Sequence, residues 1–425
     1  MGAAYALSQD HDVTIYEKDA RFGGHANTVD AHFGDKVVPV DTGFIVYNYR
    51  NYPNLTGLFE HLDVPTKWSS MTFGVSIDDG RVEYAFDSLD KIFAQRRNIV
   101  SPRFVAGMNQ VRRFLTHAQS ELDQGRLAGL SLGEWLGRSG YSSWFRDCFL
   151  LPMGGAIWST PTDRMLAFPA ENLVTFFRNH DLLVGFTPAQ RWRTVDGGSR
   201  EYVRRLIDAL GTRVNRSAEV VSIDRSTGLP QVTFASGERK VFDQVIVATH
   251  GPDAARLVAD KDPQEDELLS RFRVSQNRAV LHSDQALMPR RRKVWSAWNF
   301  LSNGTGDAGR PAPVTYWMNR LQGIPEEYPL FCSLNPSVEP DPALVHAEIN
   351  YAHPLFDNDS FAAQKALDAV QGRGGIWYAG AWLGYGFHED GLASGVRIAH
   401  ALGSLPEWAT APADPLVTSF AQAAE

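Results

Sequence analysis

Apolar and polar positions along this chain fall into three separated blocks of strand-and-helix type. The first opens with a small, Ala-rich helical stretch, Gly2 to Ser8. It continues into "HDVTIYEKD", an apolar strand that ends on an acid, Glu17. "DKVVPVDTGFIVYN", residues 35–48, then alternates as a half-buried strand and runs into a turn. The second block, residues 214–250, reads as strand, turn, strand, Gly-containing turn and then "DQVIVAT". That last run is almost continuously apolar, as a parallel strand covered on both faces must be. The third block, residues 374–402, is a strand, a glycine-rich loop and a long helix. Its apolar positions are Leu392, Val396, Ile398, Ala399 and Leu402.

Two insertions of different character separate the blocks. Residues 88–190 carry helical periodicity and many aromatics, centred on "WFRDCFLLPMGGAIWST" and "FPAENLVTFFRNHDLL". Residues 273–352 hold aromatic, partly period-two segments that predict antiparallel strands: "VWSAWNFL", "PVTYWMNRL" and "PLFCSLNP". No internal repeat is present. The Pro- and Ala-rich end after Gly403 is expected to be loosely ordered.

Composition narrows the function classes. The chain has 425 residues, 44% hydrophobic and 21% charged, with a mean hydropathy of −0.25. That length predicts two intertwined domains, and no run of about 18 apolar residues predicts a membrane span. Met1 leads straight into helix, so no leader segment is read and a cytoplasmic protein is expected. A net charge of −8 argues against nucleic acid as a partner. One basic knot, "PRRRK" at Pro289–Lys293, reads first as a solvated turn and second as a contact for an anionic lipid surface. The two cysteines, Cys148 and Cys332, lie far apart and in no metal-ligand spacing, so free thiols and no metal are expected.

Helix, apolar strand, then acid is the second half of a βαβ dinucleotide unit, in which the acid accepts hydrogen bonds from ribose hydroxyls. Glu17 alone could simply end a surface strand. It is followed, however, by Lys18, Arg21, Gly23 and Gly24, a loop able to wrap a pyrophosphate with backbone approach and positive charge. "YEKDARFGGHANT" resembles the E-x-x-x-R-x-G-G-R-x-x-T signature of the flavin-containing amine oxidase, phytoene desaturase and protoporphyrinogen oxidase superfamily. It departs at His25, where many members carry Arg. The resemblance runs on through "VDTGFIVYN" with Thr42 and Gly43, "TVDGGSREYVRRL", "AEVVSI" with Val220, and "YAGAWLGYGFHEDGLASGVRIA".

This resemblance implies an α/β protein, α+β overall, with a Rossmann-like FAD-binding domain. That domain would comprise residues 1–65, 192–262 and 370–403. A substrate domain of helices and antiparallel sheet would comprise 66–191 and 263–369, followed by a tail, 404–425. It implies non-covalent FAD held by Glu17, Lys18, Arg21, Gly23, Gly24, His25, Thr42, Gly43, Val220, Gly380, Tyr385, Glu389, Asp390 and Gly391. Ala381 follows Gly380 where many relatives place an acid. Glu389 and Asp390 equally suit an ordinary first helical turn. Relatives also carry a strand and a G-x-G-x-x-G turn ahead of the first helix, and Met1 stands where that turn ends. A late start or a truncated copy is the expected reason, and the 425-residue chain is expected to bind FAD poorly.

A narrower resemblance, through "DTGFIVYNYRNYPNL", "LLPMGGAIWSTP", "FFRNHDLL" and "GAWLGYGFHEDGL", is to bacterial FAD-dependent oxidoreductases found beside cyclopropane-fatty-acid-synthase-like methyltransferases. It implies a lipid-like, fatty acyl substrate desaturated or oxidised by hydride transfer to flavin, with peripheral membrane contact. A small-amine oxidase and a degenerate, non-catalytic flavoprotein are the competing readings. His388, Tyr385 and Asn299 are the candidates for chemistry, His388 through proton transfer. Trp298, Tyr316, Trp317 and Asn319 are expected to roof the flavin. The aromatics Trp144, Phe145, Phe149, Trp158, Phe168, Phe176 and Phe177 suit either plain core or an apolar channel.

Overall fold

A computed structural model describes residues 1–161, 164–183, 191–302 and 312–416. Its sheets sort by hydrogen-bonding pattern as the apolar runs predict. Ile15–Tyr16 pairs in parallel with Val214–Asn215, and Val245–Val247 pairs in parallel with Ile376–Tyr378. These two pairs are separate sheets, with no strand bridging them among the described residues. "HDVTIYEKD" therefore yields only a two-residue strand, because it has a ladder partner on one side only.

The helix Gly2–Leu7 lies against His388–Ala401. Gly395 permits that approach, since a Cβ there would stand 2.9 Å from the Ala3 Cβ. A three-stranded antiparallel sheet, Val220–Asp224, Gln231–Phe234 and Arg239–Val241, and a hairpin, Thr28–Phe33 with Lys36–Asp41, complete this side.

The other side is one seven-stranded sheet. Its order is Val345–Leu355, Arg273–His282, Phe331–Leu334, Val314–Trp317, Trp298–Ser302, Phe73–Ile77 and Val82–Ala85. All neighbours are antiparallel except Trp298–Ser302 beside Phe73–Ile77. The helical insertion covers one end. Its helix Pro102–Asp123 starts where the Ser101 hydroxyl accepts the Phe104 N–H and Pro102 takes the first-turn position that needs no donor. Leu132–Arg138 starts with a capping box, Ser131 with Glu134. The fully buried rings of Phe114, Phe145, Phe149 and Phe177 form the centre of its core.

The chain end corrects one expectation. Residues 404–416 are packed, not loose: Trp408 is buried and stacks on Tyr5, Leu416 is buried beside Trp377, and the Ser404 hydroxyl donates to Ala6 O. A few large apolar side chains suffice to hold a Pro- and Ala-rich segment down. Residues 417–425 lie outside the described residues.

His282 sets a pH limit on this fold. It is fully buried, its Nδ1 accepts the Asp284 N–H, and its Nε2–H donates to Ser333 Oγ at 2.7 Å. Protonation would aim a second N–H at the Asp284 amide. Burial holds the imidazole down to about 4. The unfolded chain then binds more protons than the native one between pH 6.5 and 4, so stability falls as pH drops through that window. At pH 5 the loss is about 2 kcal/mol from this side chain. His282→Gln should lose less melting temperature between pH 7 and 5 than the parent; equal losses would remove His282 as the cause.

Candidate active site

A cavity of about 1870 Å³ runs from the Glu17–Gly24 loop to the helical insertion. A single small-molecule site occupies roughly 300–1,000 Å³, so this one has room for a cofactor and a substrate together. It opens into the gap between the two parallel pairs, since Ile15 and Ile246 both line it.

At one end are Glu17, Lys18, Arg21, Gly23, Gly24 and Val220. Strand pairing sets Glu17: its N–H donates to Asn215 O and its C=O accepts from Ala218. Its carboxylate accepts the Asp19 N–H at 3.0 Å through one oxygen. Gly23 has φ +113°, and a Cβ there would lie 2.5 Å from Ala26 O, so only glycine makes this turn. The Arg21 guanidinium donates to Gly24 O and clasps the loop.

The middle of the cavity is lined by His25, Gly43, Gly380, Tyr385, His388 and Gly391. Burial, with His250 and Arg21 nearby, holds His25 down to about 4. His388 stacks on Phe44 at 4.1 Å and hydrogen-bonds the Tyr202 hydroxyl. Burial holds it down to about 3, so at neutral pH it is a fixed neutral imidazole. Trp298 and Tyr316 meet edge-on at 5.0 Å and both line the cavity. The buried Trp298 indole N–H has no partner among the described residues.

Six sequence candidates stand away from the cavity lining. Asn299 is buried inside the sheet, its amide donating to Ser296 O and Thr315 O while its Oδ1 accepts the Ser296 N–H. Thr42 is buried between Asn27 and the Tyr351 hydroxyl. Glu389 accepts the N–H groups of Asn54 and Leu55, so it caps the helix Pro53–His61. Asp390 accepts the Tyr385 and Phe387 N–H groups at the start of its own helix; burial raises it to about 7. Trp317 and Asn319 are also buried off the lining.

Sequence reading missed His250, Tyr351 and His353. His25 lies 5.9 Å from His250, 4.8 Å from Tyr351 and 5.3 Å from His353, ring to ring, and all four line the cavity. His250 was legible in principle: it follows the parallel strand Val245–Val247, at the carboxyl end where α/β sheets place ligands. Tyr351 and His353 sit mid-strand, where nothing local marks them.

The far arm of the cavity is apolar, lined by Leu115, Phe149, Met153, Ile157, Trp158 and Phe176. Trp144, Phe145, Phe168 and Phe177 are core instead.

The sequence matches the family of flavin-containing amine oxidoreductases over residues 1–324. The chain belongs to that family. It is an FAD-dependent oxidoreductase of the amine oxidase fold. Cyclohexylamine oxidase from Brevibacterium oxydans is similar in structure at TM-score 0.67 and 15% identity, with 95% of this chain and 96% of that one covered. Putrescine oxidase bound to putrescine gives 0.65 and 15%, covering 94% and 96%. A CLA-producing fatty acid isomerase from P. acnes gives 0.64 and 15%, covering 95% of each chain. No curated protein matches the sequence. Among the described residues no helix is long and apolar enough to cross a membrane.

Proposed function

We propose that this chain oxidises or desaturates a fatty acyl, lipid-like substrate. The observation that carries the reading is the apolar arm, which joins the cofactor end of the same cavity. An ammonium substrate needs a carboxylate or an open aromatic cage. The acids lining the insertion side are Asp87, engaged by Lys91 at 2.5 Å, and Asp181, engaged by Arg50 at 2.9 Å. The fatty acid isomerase of like fold supports an acyl chain as an occupant of such a scaffold.

FAD, when bound, supplies a hydride acceptor at its N5. The protein's part is to hold and orient. Glu17 would hold the adenosine ribose, and the Gly23–Gly24 loop with Arg21 would hold the pyrophosphate. Phe149, Met153, Ile157 and Phe176 exclude water around the chain. Burial holds His25, His250 and His353 below the usual imidazole range, so the cluster is neutral at neutral pH.

Anaerobic stopped-flow absorbance at the oxidised flavin band tests the reading. Bleaching by a fatty acyl phospholipid, and none by benzylamine or putrescine, is the expected result. Bleaching by amines alone would replace it with the amine oxidase reading. A protein that takes up FAD and responds to neither class would be a non-catalytic flavoprotein.

Glu17→Ala removes the ribose acceptor and should weaken FAD binding by about 1–3 kcal/mol. Fluorescence titration of FAD measures it. An unchanged dissociation constant would place the adenosine elsewhere.

A further inference from the structure

We propose that the segment from Leu89 to Val105, with the basic knot Arg290–Lys293, is a docking surface for an anionic phospholipid bilayer. The segment carries exposed aliphatic side chains on two short turns and the start of the helix Pro102–Asp123: Leu89 is 67% exposed, Ile99 53%, Val100 80% and Val105 37%. Lys91, Arg96, Arg97 and Arg103 are interleaved with them. Tertiary structure adds four more cations. Asp90 is shared by Arg96 and Lys293, which draws the knot onto the same face, and Arg291 reaches Glu83 behind it. Residues 87–105 and 289–293 hold eight basic side chains; Asp87 and Asp90 within them, and Asp79, Glu83 and Glu326 beside the knot, pair six of these, and the excess positive charge rests on Arg97 and Arg103. Arg97 and Arg103 are exposed and make no ion pair among the described residues.

Aliphatic tips ringed by arginine and lysine match a bilayer interface. The tips enter the headgroup boundary while each cation near an anionic surface contributes about 1 kcal/mol. A second copy of the chain fits poorly, because a two-fold contact would set this positive patch against itself. The patch also adjoins the cavity wall. Phe86 and Asp87, just before Leu89, line the cavity, and Leu115, on the helix that follows Val100, lines its apolar arm. A bilayer seated here would lie beside the arm. The placement extends the lipid reading but does not depend on it, because docking is measured without turnover.

Co-sedimentation of the full chain with vesicles tests the surface. Binding to phosphatidylglycerol vesicles, weak binding to phosphatidylcholine vesicles and release by high salt are expected. Ile99→Glu with Val100→Glu should lower the partition coefficient at least about tenfold. Arg97→Glu with Arg103→Glu should do the same and flatten the salt dependence. Both pairs are exposed, so melting temperature should hold. Equal binding to both vesicle types, or unchanged partition in both variants, would overturn the proposal. So would variants that alter only the oligomeric state in sedimentation velocity, since the surface would then join copies of the chain. Vesicle docking with no lipid-driven flavin reduction would leave this surface standing and sink the substrate reading alone.

Discussion

Ile157→Trp should lower kcat/KM for a long-chain acyl substrate about 100-fold, about 2.7 kcal/mol of transition-state binding. Ile157 lines the apolar arm from the helix Leu151–Trp158, beside Met153 and Trp158. An indole at this position fills space a chain would occupy, and neighbours packed as tightly as Phe176, Phe177 and Phe168 cannot retreat without cost. The Glu17–Gly24 loop, proposed to hold the cofactor, lies on other elements, so FAD uptake and the oxidised spectrum should be unchanged. Steady-state kinetics with acyl chains of several lengths reads the effect, which should shrink as the chain shortens. Loss that is equal for all lengths, or no loss at all, would show that the arm does not hold the substrate.

Asp41→Ala should cost about 3–5 kcal/mol of stability, because several buried donors lose their acceptor at once. The Asp41 carboxylate accepts the Ser199 N–H at 2.9 Å, the Ser199 hydroxyl at 2.7 Å, the Thr28 hydroxyl at 2.7 Å and the Gln322 amide at 3.0 Å. The Asp41 N–H returns a bond to Gln322 Oε1. One side chain therefore ties the strand that leads into Thr42–Gly43 to the helix start at Ser199 and to the turn at Gln322. Burial raises this carboxyl to about 6, and its hydrogen bonds oppose that rise. Chemical denaturation should show a lower midpoint, with flavin lost before the global transition. A midpoint within about 0.5 kcal/mol of the parent would mean that the hydroxyls find other partners.

Much of the fold was legible because its signals are local. The run "DQVIVAT" is apolar on both faces, and it is a parallel strand at Val245–Val247. The aromatic segments of 273–352 alternate, and they are antiparallel strands. Of the cofactor loop, Glu17, Arg21, Gly23, Gly24 and His25 all reach the cavity, because one short turn carries them. Other signals depend on tertiary context. Asn299, Glu389 and Asp390 look functional in a motif, and neighbouring backbone groups engage their polar atoms: the Asn299 amide donates to carbonyls, while the Glu389 and Asp390 carboxylates accept N–H groups. The segment 404–416 looks loose by composition, but Trp408 and Leu416 anchor it.

The sequence by itself determined the family, the tight Gly23–Gly24 loop and the character of each segment. Those rest on spacing within a few residues, where backbone geometry ties pattern to structure. Tertiary structure alone decided which aromatics line the cavity and which are core. Phe149 and Phe177 have the same chemistry and the same burial, and only packing turns the first toward the cavity. It also decided the cluster of His25, His250, Tyr351 and His353, and the meeting of "PRRRK" with Asp90 of the turn at Leu89–Ile92. These residues come from segments hundreds of positions apart. Their distances depend on chain crossovers and strand register, and no local pattern encodes those.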